Sequence, residues 1–141
     1  MTRNTDMLPG SAEVRLSGKI YTVAFTLDVV DQICAEHKCG VGDIVGLIRG
    51  SDKQDFRKNV LSVAAVLING AIDEHNETAG EADKWDYVTA STLSRRLTPL
   101  AFSALYESVC EAYIKGFISE AGQKDEDDIG VDDPNSTSGT A

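Results

Sequence analysis

The chain has 141 residues, 23 of them acidic and 13 basic, which gives a net charge of −10 at pH 7. Such a charge repels DNA and anionic membranes, so we expect neither nucleic acid nor a membrane surface as a partner. No apolar run approaches the roughly 20 residues that span a bilayer, and the N-terminus lacks the apolar segment of a signal peptide. We therefore expect a cytosolic protein of one domain.

A β-hairpin is predicted over residues 13–25, after a flexible arm at 1–12. Two short alternating runs flank Ser17-Gly18, a dipeptide suited to a two-residue hairpin turn. One face of the predicted hairpin is apolar and consists of Val14, Leu16, Tyr21, Val23 and Phe25. An isolated hairpin is marginal in water, so we expect helices of the same chain to cover this face. The open backbone edges leave room for a weak homo-oligomer through strand addition.

Helical periodicity follows the hairpin and continues to residue 118. Capping and stop signals divide this region into four to five helices. The predicted signals are an N-cap at Thr26, a stop at Cys39-Gly40, a short helix over 43–49, a capping box at Ser51-x-x-Gln54, a stop at Asn69-Gly70, an N-cap at Thr89 for a helix through Leu97, and Thr98-Pro99 opening the last helix. The sequence thus predicts an α+β fold, mostly α, with a single globular domain at 13–118.

The first predicted helix contains three residues of the types that bind zinc, in the motif Cys34-x2-His37-x-Cys39. Structural zinc sites use four ligands, commonly as two spaced pairs, and the only other histidine, His75, lies far along the chain. We therefore expect the three cysteines to be reduced thiols, with no metal and no other cofactor.

The stretch 72–88 lacks the core pattern of its neighbours. It contains six acidic residues, Asp73, Glu74, Glu77, Glu81, Asp83 and Asp86. We interpret it as an acidic loop with at most one helical turn near 82–87, and we expect Trp85 and Tyr87 to dock back onto the domain.

The last predicted helix, Pro99 to Ile118, carries an aromatic stripe beside its apolar one. The aromatic residues, Phe102, Tyr106, Tyr113 and Phe117, recur at helical spacing. In one interpretation the stripe packs on the hairpin. In the other, part of it stays exposed and these four residues bind a partner protein, because such faces serve helix-in-groove recognition.

Residues 119–141 are expected to form a disordered acidic tail that is dispensable for folding. Seven acidic residues and one lysine occur there, with too few apolar residues to offset the entropy of ordering. The whole sequence lacks a phosphate-binding glycine loop and the common motifs of hydrolases and metalloproteases. We therefore expect the protein not to be an enzyme.

The order of features in VRLSGKIYTVAFTLDVVDQICAEHKCGVGDIVGLI, residues 14–48, resembles that of the tail assembly chaperones of long-tailed bacteriophages and prophages, including the related gene transfer agent proteins. Gly18 in the turn and Thr26-Leu27 at the strand-to-helix junction carry the resemblance. It implies a non-enzymatic protein of the host cytoplasm, absent from the finished particle. Such chaperones coat the tape measure protein and help to recruit the tail tube protein. The acidic stretch 72–88 has no counterpart in the family.

Two other classes stay open. An acidic inhibitor or adaptor that mimics DNA would need carboxylates held at phosphate-like spacing on rigid structure, whereas most of the excess charge here lies in the predicted tail. Another phage tail structural or completion protein would rely on extensive sheet, whereas this chain offers one hairpin.

Overall fold

The computed structural model describes residues 10–50 and 55–118. In this part the chain is mostly helical, and an N-terminal antiparallel hairpin packs on five helices, which confirms the predicted fold class. The elements are β1 (Ala12–Leu16), β2 (Lys19–Val23), α1 (Leu27–His37), α2 (Ile44–Arg49), α3 (Phe56–Thr78), α4 (Ala90–Arg96) and α5 (Pro99–Phe117), with 3-10 turns at Val41–Asp43 and Glu81–Asp83. The predicted acidic tail, the capping box at 51–54 and most of the predicted arm lie outside the described residues.

The hairpin forms with the predicted turn. Ser17 and Gly18 have φ of 53° and 82°, as a two-residue turn with both central residues in the left-handed region requires. Leu16 pairs with Lys19 and Val14 with Tyr21. Because side chains alternate between faces, Val14, Tyr21 and Val23 are buried together while Arg15 is exposed.

The hairpin covers two helices that lie side by side. β1 packs against α5 and β2 against α3. Helix α3 is central, since it also contacts α1, α2, α4 and α5, and nine of its side chains are buried. The apolar face of the hairpin is thus covered within the chain, as expected from its sequence.

Helix α1 ends two residues before the predicted Cys39-Gly40 stop. The left-handed residue that ends it is Lys38, with φ of 51°, and its N–H bonds to the carbonyl oxygen of Cys34. Gly40 instead precedes the first 3-10 turn. The predicted N-cap is confirmed, because Thr26 Oγ1 accepts a hydrogen bond from the N–H of Val29 at 3.2 Å.

Helix α3 continues eight residues beyond the predicted stop at Asn69-Gly70. A Cβ at position 70 would lie 3.1 Å from Cγ2 of Val29, so the glycine permits the close approach of α1 rather than ending the helix. The fully buried Ile72 then anchors the extra turns in the core. The prediction of an acidic loop over 72–88 is therefore wrong for residues 72–78, which are helical.

The two last helices begin as predicted. Oγ1 of Thr89 and of Thr98 each accepts a hydrogen bond from the backbone N–H three residues later, at 3.0 and 3.2 Å. Pro99 occupies the first turn of α5. Across the described ranges, no helix combines the length and apolar character needed to cross a membrane.

Candidate functional site

The segment 79–89 contains the second 3-10 turn and crosses the surface of α3, and we call it the strap. Two asparagines of α3 hold it. The side-chain amide of Asn69 donates to the carbonyl oxygen of Val88 at 2.9 Å and accepts from its N–H at 2.8 Å. Asn76 makes the same pair of bonds with Trp85, at 3.0 and 2.9 Å. Each amide thus satisfies both backbone groups of one strap residue.

The spacing of the two asparagines explains why both can bind. Seven residues of helix rise by about 10.5 Å and bring the two side chains to the same face. Three residues of extended chain advance by a similar distance, about 9.3 Å for the polyproline type, so Trp85 and Val88 can each reach one of the asparagines. Sequence reasoning missed Asn69 and Asn76, although their heptad spacing on one helix was visible.

Trp85 docks onto the domain as expected. Its ring contacts Tyr21 edge-on, with centroids 5.3 Å apart, and stacks on His75 at 3.6 Å. Nε2 of His75 in turn donates to the carbonyl oxygen of Asp83 at 2.9 Å. The strap therefore joins α3 to the hairpin. Tyr87, also expected to dock, is 60% exposed.

Tyr87 reaches α3 through its hydroxyl group, which donates a hydrogen bond to the carboxylate of Asp73. This bond, and the negative charge of Asp73, raise the pKa of Tyr87 above its usual 10.0. The bond therefore stabilises the folded state at neutral pH, where Tyr87 is protonated, and this contribution is lost as pH rises through the raised pKa of Tyr87 in the folded state.

We expect Asp73→Asn to lower the pKa of Tyr87 toward its usual value, as measured by the ultraviolet absorbance of tyrosinate against pH. The variant Tyr87→Phe identifies the part of the absorbance change that comes from Tyr87, because that part is absent from its titration. Asp86→Asn is the matched control, since it removes the same charge next to Tyr87 without removing the hydrogen bond. An equal decrease in both carboxamide variants would contradict the assignment to Asp73.

The four aromatic residues predicted to bind a partner fall into two groups. Phe102 and Tyr106 are half-buried against Phe56 of α3, with centroids 6.5 and 5.4 Å away. The hydroxyl of Tyr106 donates to the carbonyl oxygen of Ile48 at 2.7 Å, and burial raises its pKa. This half of the stripe joins α5 to α2 and α3.

The second group lies at the C-terminal end of α5. Tyr113 and Phe117 stack with centroids 4.5 Å apart, and both contact Phe25 at the end of the hairpin, at 5.8 and 5.5 Å. Ile114 and Ile118 beside them are 47% and 54% exposed, and Phe117 is 36% exposed. We call Tyr113, Ile114, Phe117 and Ile118 the apolar end of α5.

The motif around Cys34 is not assembled as a metal site. His37 Nε2 lies 3.0 Å from Oγ of Ser62, and both Cys34 and Cys39 are free thiols. Burial and the neighbouring Cys34 raise the pKa of Cys39 above its usual value. Among residues 10–50 and 55–118, no three histidine, cysteine or acidic side chains come together as metal ligands.

Comparison of the chain with protein-family models, with curated proteins and with solved structures found no match.

Proposed function

We propose that the protein is a non-enzymatic tail assembly chaperone of a long-tailed bacteriophage or prophage. In this proposal it binds the tape measure protein in the cytoplasm of the bacterial host, promotes assembly of the tail tube protein around it, and leaves before the particle is complete. The proposal derives from the resemblance of residues 14–48 to this family. The hairpin followed by helices is the fold that the resemblance implies.

The apolar end of α5 is the observation that carries the proposal. An aliphatic side chain that stays half exposed forgoes much of the roughly 1.5–3 kcal/mol that burial provides. Ile114 and Ile118 are both in this position, next to Phe117. A helical partner with an apolar stripe, such as a tape measure protein before tube assembly, could cover these side chains reversibly.

Charged residues beside this surface are suited to reversible binding. Glu107 and Glu111 flank Ile114 on the exposed side of α5, and Lys115 forms an ion pair with Glu111 at 2.8 Å. A polar rim around an apolar centre is the usual arrangement of a protein–protein interface.

Co-expression with the tape measure protein that the proposal implies as a partner tests the proposal. We expect a complex that co-purifies and withstands nuclease treatment. Ile114→Glu should reduce the captured tape measure protein by about tenfold or more, because it places a charge at the centre of the apolar end.

Leu100→Glu is the matched control, because Leu100 is an 83% exposed apolar residue at the other end of the same helix. It should capture the tape measure protein as the unmodified protein does. The proposal would be contradicted if the unmodified protein captured no tape measure protein. It would also be contradicted if the unmodified protein, Ile114→Glu and Leu100→Glu captured equal amounts.

One observation supports the alternative function, an acidic inhibitor that mimics DNA. Asp73, Glu74 and Glu77, expected in a loop, lie on the helix α3, where their spacing is fixed. Capture of nucleic-acid-binding proteins of the host in place of the tape measure protein would favour this alternative over the chaperone.

A further inference from the structure

The two edges of the hairpin differ in their backbone hydrogen bonds. In a hairpin with a two-residue turn, alternate residues point their N–H and C=O groups away from the partner strand. With Leu16 paired to Lys19, these are Ser11, Glu13 and Arg15 before the turn, and Ile20 and Thr22 after it.

Helix α5 covers the edge of β1. Oγ of Ser108 donates to the carbonyl oxygen of Glu13 at 2.7 Å, and Nζ of Lys115 lies 3.3 Å from the carbonyl oxygen of Ser11, to which it donates. Both acceptors belong to the outward-pointing set. Side chains of α5 therefore occupy two of the outward-pointing carbonyl groups on the edge of β1.

The edge of β2 has no such partner in the described part of the chain. Within the described ranges 10–50 and 55–118, no backbone or side-chain group outside the hairpin bonds to the backbone of Ile20 or Thr22. The side chain of Ile20 is 48% exposed as well. An unpaired edge of this kind presents donors and acceptors at the spacing of a strand and favours pairing with another extended chain.

A groove lies beside this edge, over α3. It consists of two adjoining depressions that share Thr22, Ala71 and Glu74. Ala71 of α3 lines both depressions, and its small side chain leaves space beside Thr22 of β2. A strand added to β2 would extend the sheet over this part of α3, as sheets do when they pack on helices.

The negative charge of the groove indicates which kind of strand could pair with β2. Four carboxylates line it, from Asp28, Asp73, Glu74 and Glu77, and no lysine or arginine is among the residues that line either depression. A second copy of β2 would bring two such sets of carboxylates together, and like charges at an interface are unfavourable. A basic segment would neutralise them.

We propose that the open edge of β2 binds an extended segment of a partner protein by strand addition, with lysine or arginine at alternate positions of that segment. Because strand side chains alternate, the basic residues face α3 and its carboxylates, whereas the residues between them lie on the exposed face beside Ile20. β-branched residues suit these intervening positions, since they pack well across strands. This proposal is independent of the chaperone function and of the apolar end of α5.

The test is binding of a short synthetic peptide that alternates lysine and valine, measured by fluorescence anisotropy with the full chain. We expect saturable binding, protection of the Ile20 and Thr22 amides from hydrogen exchange, and loss of binding when lysine is replaced by glutamate. Methylation of the peptide amides that pair with β2 should abolish binding, because it removes the backbone donors without changing the charge.

Two matched variants separate this groove from general attraction to an acidic protein. Glu74→Lys should weaken binding by about tenfold, whereas Glu107→Lys, the same change on the exposed side of α5, should have an effect of about twofold or less. Both side chains are exposed, so neither change should disturb folding.

Equal weakening by the two variants would overturn the proposal, because the attraction would then be nonspecific. Undiminished binding of the methylated peptide would overturn it as well, since strand pairing would not be involved. A dimer in sedimentation that protects the Ile20 and Thr22 amides would assign the edge to a second copy and would also contradict it.

Discussion

Phe25→Ala should lower the free energy of unfolding by about 3 kcal/mol, as measured by chemical denaturation. The value lies at the lower end of the range for phenylalanine truncation, because the side chain is half-buried. The change removes the edge-on contacts with Tyr113 and Phe117. It also leaves a space over Gly116, where an added Cβ would lie 3.5 Å from Cβ of Phe25.

The control for this prediction is Arg15→Ala in β1. Arg15 is exposed on the outer face of the hairpin, so its truncation should change the free energy of unfolding by no more than about 0.5 kcal/mol. If Phe25→Ala leaves folding unchanged but abolishes binding of a partner or self-association, the end of the hairpin is an interface and not part of the core.

Asn69→Ala should lower the free energy of unfolding by about 2 kcal/mol. The substitution leaves the N–H and the C=O of Val88 without their partners, and each unsatisfied buried group costs about 1–3 kcal/mol. The lower part of that range applies, because Val88 is half-buried and water reaches it in part. The amide of Val88 should also lose its protection from hydrogen exchange, because the variant lacks the hydrogen bond that must break before this amide exchanges.

Asn59→Ala on the same helix is the matched control. In the described part of the chain, the side chain of Asn59 forms no hydrogen bond, and alanine is the better helix former. We expect this variant to be as stable as the unmodified protein or slightly more stable. Unchanged exchange of the Val88 amide in Asn69→Ala would show that the asparagine does not hold the strap.

The features that the sequence predicted correctly depend on a few neighbouring residues. The hairpin register follows from Ser17-Gly18, since both turn residues must have positive φ and the pairing then proceeds outward from the turn. The N-caps at Thr26, Thr89 and Thr98 depend on a side-chain oxygen and an N–H three residues away. Such contacts form within one turn of chain, so local sequence is sufficient to identify them.

The end of α3 was predicted incorrectly because its cause is not local. Gly70 follows a residue common at helix ends, and acidic residues follow it, so the sequence resembles a helix stop and a loop. The helix continues because α1 approaches at Val29 and Ile72 reaches the core. Neither contact can be read from the residues around position 70.

The candidate sites were predicted only in part. Helical periodicity placed Phe102, Tyr106, Tyr113 and Phe117 on one side of α5, but it could not tell which of them another helix covers. The tertiary structure decided this, since Phe56 meets the first pair and Phe25 meets the second.

By itself, the sequence determined the fold class, the hairpin and the starts of most helices, because each depends on periodicity or on contacts within a few residues. The tertiary structure decided where α3 ends, which edge of the hairpin α5 covers and which aromatic residues of α5 pack against Phe56. These depend on contacts between residues far apart in the chain, such as Ser108 with Glu13 and Asn69 with Val88. The free energy of such a contact depends on two residues that are distant in the sequence. A pattern within one segment includes only one of the two, so it cannot predict the contact.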